Sequence, residues 1–435
     1  MRRLLALILL VPALARGQGT DSALKDRVDQ LVEKLGGSDE KARDAAEKSL
    51  VGLGAKILPV LPDGAKVKDE AVKARLAKIR EALAEDQEKA SLVASTVTIQ
   101  GQGIRLTEAL KALQIQTGNR ITDLREATGA DVTNPSMDLN LKGVKFFEAL
   151  DIIATKAEVV LDFATNDGTI GIMPGGPQLP DQIGEDAPTA NPFVLYSGPF
   201  RVSLKQYAAA RDFAGGASGG TANAQFEVAW EPRLRPMLLS LKASDIAIVD
   251  DQGRKITPSV EGESGSVVLR PENPVAEMNV NMVAPDRKAL EIASLKVKAE
   301  VTVPAGIRTF AFPKLDVRDV TKKLGDVAVT LESTEVDEAV WKLHVLLEMP
   351  GSGPAFESYQ QGLFNNRIWL QKADGTRFEH NGGFSNTAAD GGKLGFEYLF
   401  VDAPGKLADY GFVYETPSRV LTIPLEFEFK KVPLP

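Results

Sequence analysis

The sequence predicts a multidomain chain, α+β in its first part and all-β in the rest. It reads as an N-terminal helical hairpin, a small βαββαβ-type domain, and two tandem antiparallel β-sandwiches. Three observations carry that expectation. Residues 21–90 are charged, with apolar residues at helical spacing; residues 95–174 alternate between strand and helix patterns. From residue 193 onward, short alternating segments are broken by Gly, Pro, Asn and Asp, the punctuation of antiparallel sheets. A chain of 435 residues, at roughly 100–200 per domain, holds material for three or four cores.

The stretch "MRRLLALILLVPALARGQG" has a basic start, an apolar run from Leu4 to Val11 and a small-residue exit around Ala13-Leu14-Ala15. That is the pattern of a cleaved export signal over residues 1–17, with a retained N-terminal anchor as the alternative. The run is shorter than the roughly 20 residues a permanent membrane span needs. No later segment reaches span length without charges, so no transmembrane segment is expected in the mature chain. The chain has no cysteine, which rules out a lipobox, a disulfide framework, a thiol nucleophile and a thiolate metal site. A formal charge of −8 and a pI near 5.2 argue against a nucleic-acid binder, which presents a basic face.

In residues 21–90, Leu24, Val28, Leu31 and Leu35 share one helix face, stopped by Gly36-Gly37, with Ser38 placed to cap the next start. Ala42, Ala46 and Leu50 form a second narrow stripe ending at Gly52 and Gly54, and Val72, Leu76, Ile79 and Leu83 form a third. Alanines on the seam let helices approach closely, so paired antiparallel helices are expected. "KARDAAEKSL", the "LG" after it and the following "LPVL" resemble a HEAT-type helical repeat. About one and a half repeats are present, which implies a capping or spacer hairpin rather than a solenoid groove.

In residues 95–174, "STVTIQGQ" alternates as a strand, and Thr107 is placed to cap a helix carrying Leu106, Leu110 and Leu113, closed by Gly118. "ITDLREA" returns as a strand or edge segment. Met137, Leu139 and Leu141 point one way and Asp138, Asn140 and Lys142 the other. Phe146, Leu150, Ile153 and Ala157 line a second helix, after which "VVLDFA" and "TIGIM" flank the hairpin turn "TNDG". Two helices on one face of a small sheet would bury both apolar faces together. "LNLKGVKFFEALDIIATKAEVVLDFATNDGTIGI", with its "EAL" helix, and the parallel "VTIQGQGIRLTEALKALQIQTGNRI" resemble the secretin and TonB short N-terminal domain. The resemblance implies a non-catalytic module that contacts protein partners or assembles side by side, in the envelope of a Gram-negative-type bacterium.

"PGGPQLPDQIGEDAPTANP" reads as a linker over 175–192. Beyond it, Leu295, Val297, Ala299, Val301 and Val303 alternate with polar neighbours, as do Ile423, Leu425, Phe427 and Phe429. Three echoes suggest an internal duplication. "DIAIVDDQGRKI" parallels "NRIWLQKADGTRF", "WEPRLRPMLLSL" from Trp230 parallels "WKLHVLLEMP" from Trp341, and "VTVPAGIRTFAFPKL" parallels "LTIPLEFEFKKVPL". Sandwiches over 193–318 and 319–435 follow, and their size and strand pattern resemble immunoglobulin-like domains.

Candidate chemistry is sparse. His344 and His380 are the two histidines, and neither has a second ligand at metal-binding spacing. "GQGIR" (101–105) and "GGASGG" (215–220) lack the remainder of a nucleotide-binding fingerprint. "NDG" (166–168), "DDQG" (250–253) and "ADG" (373–375) carry too few acids for calcium and read as turns. Glu426 and Glu428 share one strand face beside large apolar residues, which puts them in water rather than in an enclosed acid–base pair. The aromatic-rich segment 359–384 is the surface candidate: Tyr359, Asn365, Arg367 and Trp369 suit a protein strand or a carbohydrate, while Phe364, Ile368, Leu370 and Phe378 fit a sandwich core.

These readings assign no catalytic, cofactor-binding or metal-binding residue. They favour an exported non-catalytic docking or scaffold protein of the periplasm or cell envelope with a protein partner. A carbohydrate- or cell-wall-binding module is the alternative, and an unrecognised hydrolase the third reading.

Overall fold

The computed structural model describes residues 17–62, 67–128, 133–175, 191–211, 220–259, 264–349, 366–390 and 392–435. The chain is mixed α+β and mostly β, and it divides into two compact units, one ending at Ser91 and the other starting at Leu92. No described helix is long and apolar enough to cross a membrane. The expected export segment lies outside the described residues up to residue 16.

The first unit holds α1 (Gly17–Leu35), α2 (Glu40–Gly52) and α3 (Glu70–Ser91). The three apolar stripes meet in one interior, where Val28, Leu50, Leu76, Ile79 and Leu83 are fully buried. Asp39, not Ser38, caps α2: it holds the extended backbone just before the first helical residue, and its carboxylate accepts from the Lys41 amide at 3.1 Å. Ser38 sits one residue too early for that geometry. Arg75 of α3 donates to Asp44 and Glu47 of α2, at 2.9 and 2.7 Å.

The second unit begins with β1 (Thr96–Arg105), α4 (Leu106–Thr117), β2 (Ile121–Asp123), β3 (Ser136–Lys145), α5 (Phe146–Lys156), β4 (Val159–Asp162) and β5 (Ile170–Pro174). The strands make two sheets rather than the single small sheet expected. β1 and β3 form an antiparallel ribbon, while β5 lies between β2, parallel to it, and β4, antiparallel to it. Leu110 and Leu113 of α4, Leu150 and Ile153 of α5, Val97, Leu139 and Ile172 share one core. Met137, Leu139 and Leu141 are buried while their alternating neighbours are exposed, as a half-buried strand requires. Thr107 lies within the first turn of α4 rather than at its cap, and its amide donates to the Asn134 side chain at 3.2 Å. Gly118, at φ 72°, closes the helix as the αL residue.

The β body consists of β6 (Val194–Ser197), β7 (Phe200–Arg211), β8 (Gly220–Trp230), β9 (Leu238–Asp250), β10 (Lys255–Ile256), β11 (Pro258–Ser259), β12 (Ser264–Val268), β13 (Val275–Val283) and β14 (Glu291–Phe312). It continues with β15 (Val320–Leu324), β16 (Val327–Asp337), β17 (Val340–Glu348), β18 (Arg367–Lys372), β19 (Arg377–Glu379), β20 (Phe384–Asp390), β21 (Lys393–Val401) and β22 (Tyr410–Pro433). One seven-stranded sheet runs β10-β9-β14-β22-β18-β19, with β12 also on β9; the two five-stranded sheets run β11-β13-β8-β7-β6 and β15-β16-β17-β21-β20.

Strand order repeats between the halves. β10-β9-β14 recurs as β19-β18-β22, and β13-β8-β7-β6 recurs as β21-β17-β16-β15. The central pair is antiparallel over its whole length, and Thr302 of β14 lies opposite Thr422 of β22, 120 residues later. Two sequence echoes fall on equivalent elements, the hairpins at Gly253 and Gly375 and the strands β14 and β22. The third does not: β17 is the counterpart of β8, but Trp230 ends β8 and its echo runs on into β9, whereas Trp341 is near the start of β17 and its echo follows that strand.

The packing departs from two sandwiches in series. Leu295 and Val297 of β14 join Leu425, Phe427 and Phe429 of β22 in the first core, with Phe226, Trp230 and Val280. Phe310 and Phe312, from the far end of β14, join Phe412 and Tyr414 of β22 in the second core, with Leu343 and Phe396. Each long strand therefore serves both cores, and the 318/319 boundary in sequence is not a boundary in packing. On β14 the buried positions are odd-numbered from Leu295 to Ala305 and even-numbered at Phe310 and Phe312. The change falls at Gly306, which has φ 60° and is skipped by the ladder to β22.

Candidate functional site

The connection from β8 to β9 reads Glu231-Pro-Arg-Leu-Arg-Pro236, and its prolines keep it out of the sheet. Glu231 is 1% exposed. Its carboxylate accepts from the Ser95 amide (2.8 Å), the Ser95 hydroxyl (2.6 Å), Asn119 Nδ2 (2.9 Å) and Arg233 Nε (2.6 Å). Arg233 also donates to the Val93 carbonyl. A buried carboxylate is tolerated only when its lone pairs are filled, and here they are. The cluster ties the βα module at residues 92–175 to the β body.

Two residues on, Arg235 faces a recess of about 130 Å³. Its backbone sits at φ 50°, in the left-handed region that residues with a Cβ seldom adopt. The recess has apolar walls from Pro236, Met237, Pro304, Ile307 and Pro417, and its charged lining includes Arg367 and Glu415. Burial, then the neighbouring Arg367, push the Arg235 pKa down, while Glu415 and Glu272 act in the opposite direction. Arg235 has no hydrogen bond or ion pair within 4 Å to any described residue.

Arg367 opens β18. Its Nη1 lies 3.9 Å from the Glu415 carboxylate and its guanidinium 5.7 Å from the Trp369 ring centre. Asn366, just before it, donates to the Tyr414 hydroxyl (2.8 Å) and to Thr416 Oγ1 (3.1 Å), which anchors the strand start. The hairpin turn of the βα module supports another wall. The Gly168 amide donates to the Glu272 carbonyl at 2.6 Å, and the Asn166 amide to Asn273 Oδ1 at 2.8 Å. A Cβ on Gly168 would stand 2.6 Å from the Pro271 carbonyl oxygen, and Pro271 lines the recess. Guanidinium groups keep their protons at neutral pH, so the groups gathered here are suited to holding an anion.

The surface candidates separate. Arg367 reaches the recess, whereas Tyr359 and Asn365 lie outside the described residues, as do Phe364 and residues 215–219. Trp369 is not the open stacking face that a carbohydrate reading needs. It is 3% exposed, with Arg377 4.3 Å over its ring and its Nε1 donating to Gln371 at 3.0 Å. Ile368 and Leu370 are core residues.

Elsewhere, His344 lies 3.7 Å from Glu397 across the β17–β21 pair. His380 shares a 2.8 Å hydrogen bond with the Gly383 carbonyl and packs edge-on against Tyr398 and Phe400; burial pushes its pKa down. The three acidic-glycine segments are turns whose carboxylates accept local donors: Asp167 from Thr165 and Thr169, Asp250 from Gln252 and Arg254, Asp374 from Thr376. Glu426 lies 3.7 Å from Lys298 across the central pair, and Glu428 accepts from Ser294 at 2.8 Å. Gly103 of "GQGIR" donates its amide to Asp138 and belongs to β1.

Sequence reasoning passed over Glu231 and Arg235. The available signal was "WEPRLRP", three charges between an aromatic residue and prolines at a strand end. Comparison of the chain with protein-family models, curated proteins and solved structures finds no match.

Proposed function

We propose that this chain is an exported, non-catalytic docking protein of the periplasm or cell envelope that engages a protein partner at the Arg235–Arg367 recess. One observation carries the reading: a half-buried guanidinium with no hydrogen bond or ion pair to any described residue, held on a left-handed backbone beside an apolar recess. A group so placed gains when a partner of opposite charge pairs with it. Ile307, on the recess wall, is 47% exposed and offers apolar contact next to the charge.

A photocrosslinker placed at Ile307 tests the proposal, with the same probe at Leu290, which is 76% exposed and outside the recess, as control. In envelope extract, position 307 should give a discrete protein adduct that position 290 does not. Equal labelling from both positions, or none from 307, would refute docking at this face. The export arm is checked by sequencing the N-terminus of the protein recovered from the periplasm, which should begin near residue 18.

A further inference from the structure

The geometry points to a ligand class for this recess: a single carboxylate borne on a short apolar stem, its oxygens taken by Arg235 and its stem lying against Pro304 and Ile307. The assignment rests on the docking reading for its biological setting, but its chemistry stands on the recess alone.

Charge sets the valence. Arg233 is committed to the buried Glu231, and Arg367 lies 3.9 Å from Glu415. Among the described residues that leaves Arg235 with no carboxylate in ion-pair range, only the more distant influence of Glu415 and Glu272, which suits a monoanion better than a phosphate of charge about −1.5 to −2. Shape sets the group. A guanidinium presents a planar fork whose parallel N–H groups match the two oxygens of a carboxylate. Size sets the stem. A dry cavity of about 150 Å³ takes benzene, six heavy atoms, so the 130 Å³ recess suits a carboxylate with about three or four carbons. A C-terminal alanine of a protein and a free short-chain acid both present that unit.

Four probes separate the possibilities in the full-length protein: butyrate, an N-acetyl tripeptide ending in a free alanine carboxylate, the amide of that tripeptide, and inorganic phosphate. Binding is read by NMR shifts of the Met237 methyl group, which lines the recess. The tripeptide acid should saturate with a dissociation constant on the order of 1 mM. Its amide and phosphate should bind at least tenfold more weakly. Binding of the peptide acid but not butyrate assigns the carboxylate to a protein chain end, and binding of butyrate alone assigns it to a free acid.

Arg235→Gly should abolish binding without lowering Tm, because glycine accepts φ 50° freely. Arg235→Lys, which keeps the charge but loses the fork, should weaken binding about tenfold. Equal binding of acid and amide, phosphate binding as tight as the acid, or full binding by Arg235→Gly would each overturn the assignment. Adducts from Ile307 that the carboxylates fail to displace would leave docking standing and remove the ligand class. Carboxylate binding without any adduct would do the reverse.

Discussion

At the scale of single residues, backbone conformation and close approach decide which positions accept change. Gly168 and Gly253 both sit in the left-handed region, at φ 71° and 76°, but a Cβ at Gly253 would meet nothing within 4 Å. Gly253→Ala should therefore cost only the conformational penalty, about 1–2 kcal/mol. Gly168→Ala meets the Pro271 carbonyl as well and should cost about 1–3 kcal/mol more. Denaturant midpoints of the two variants measure the difference, and equal losses would mean that the 168 turn does not press on Pro271. The glycine in "TNDG" was legible as a turn residue because hairpin chemistry is local. Its second task, letting another loop approach, was not legible, because Pro271 is more than a hundred residues away. Arg235 was illegible for the same reason: its character lies in the partners it lacks among the described residues, and a sequence does not show which charges end up near it.

Among elements, periodicity succeeded wherever neighbours in sequence are neighbours in space. α4 and α5 and the alternation along β3 follow the 3.6 and 2.0 periods closely. Helix caps and sheet membership were harder, because they turn on one residue of offset or on distant pairing. Asp39 replaces Ser38 as a cap, and the five strands of the βα module divide between two sheets instead of one. The join between the βα module and the β body depends on Glu231, whose four donors come from three separate segments. Glu231→Gln keeps the volume but removes the charge and turns an amide toward buried donors. It should cost about 3–5 kcal/mol, the range for breaking a buried ion pair. Hydrogen exchange should quicken first in β1 and β3, and no change in protection there would show that the module is held by its apolar contacts alone.

For the whole molecule, the decisive feature is the β14–β22 pair. Alternation revealed both strands, and the echo between them suggested duplication. Their pairing with each other was hidden, because strand partners are chosen non-locally. Since each strand contributes to both cores, damage to one should be felt in the other. Leu425 is fully buried in the first core, and Leu425→Ala should cost about 2–5 kcal/mol. Amides of β17 and β21, which belong to the second core, should lose protection in step with those of β8 and β13. Loss confined to β8 and β13 would show that the halves unfold separately.

The shared pair also sets an order of assembly. A ribosome delivers residues 193–303 long before Leu421–Val432, yet the first core is lined by both. The nascent first half must therefore wait, with apolar surface uncovered, until β22 has been made. Synthesis that stops before Ile423 strands the half of the body that was made first.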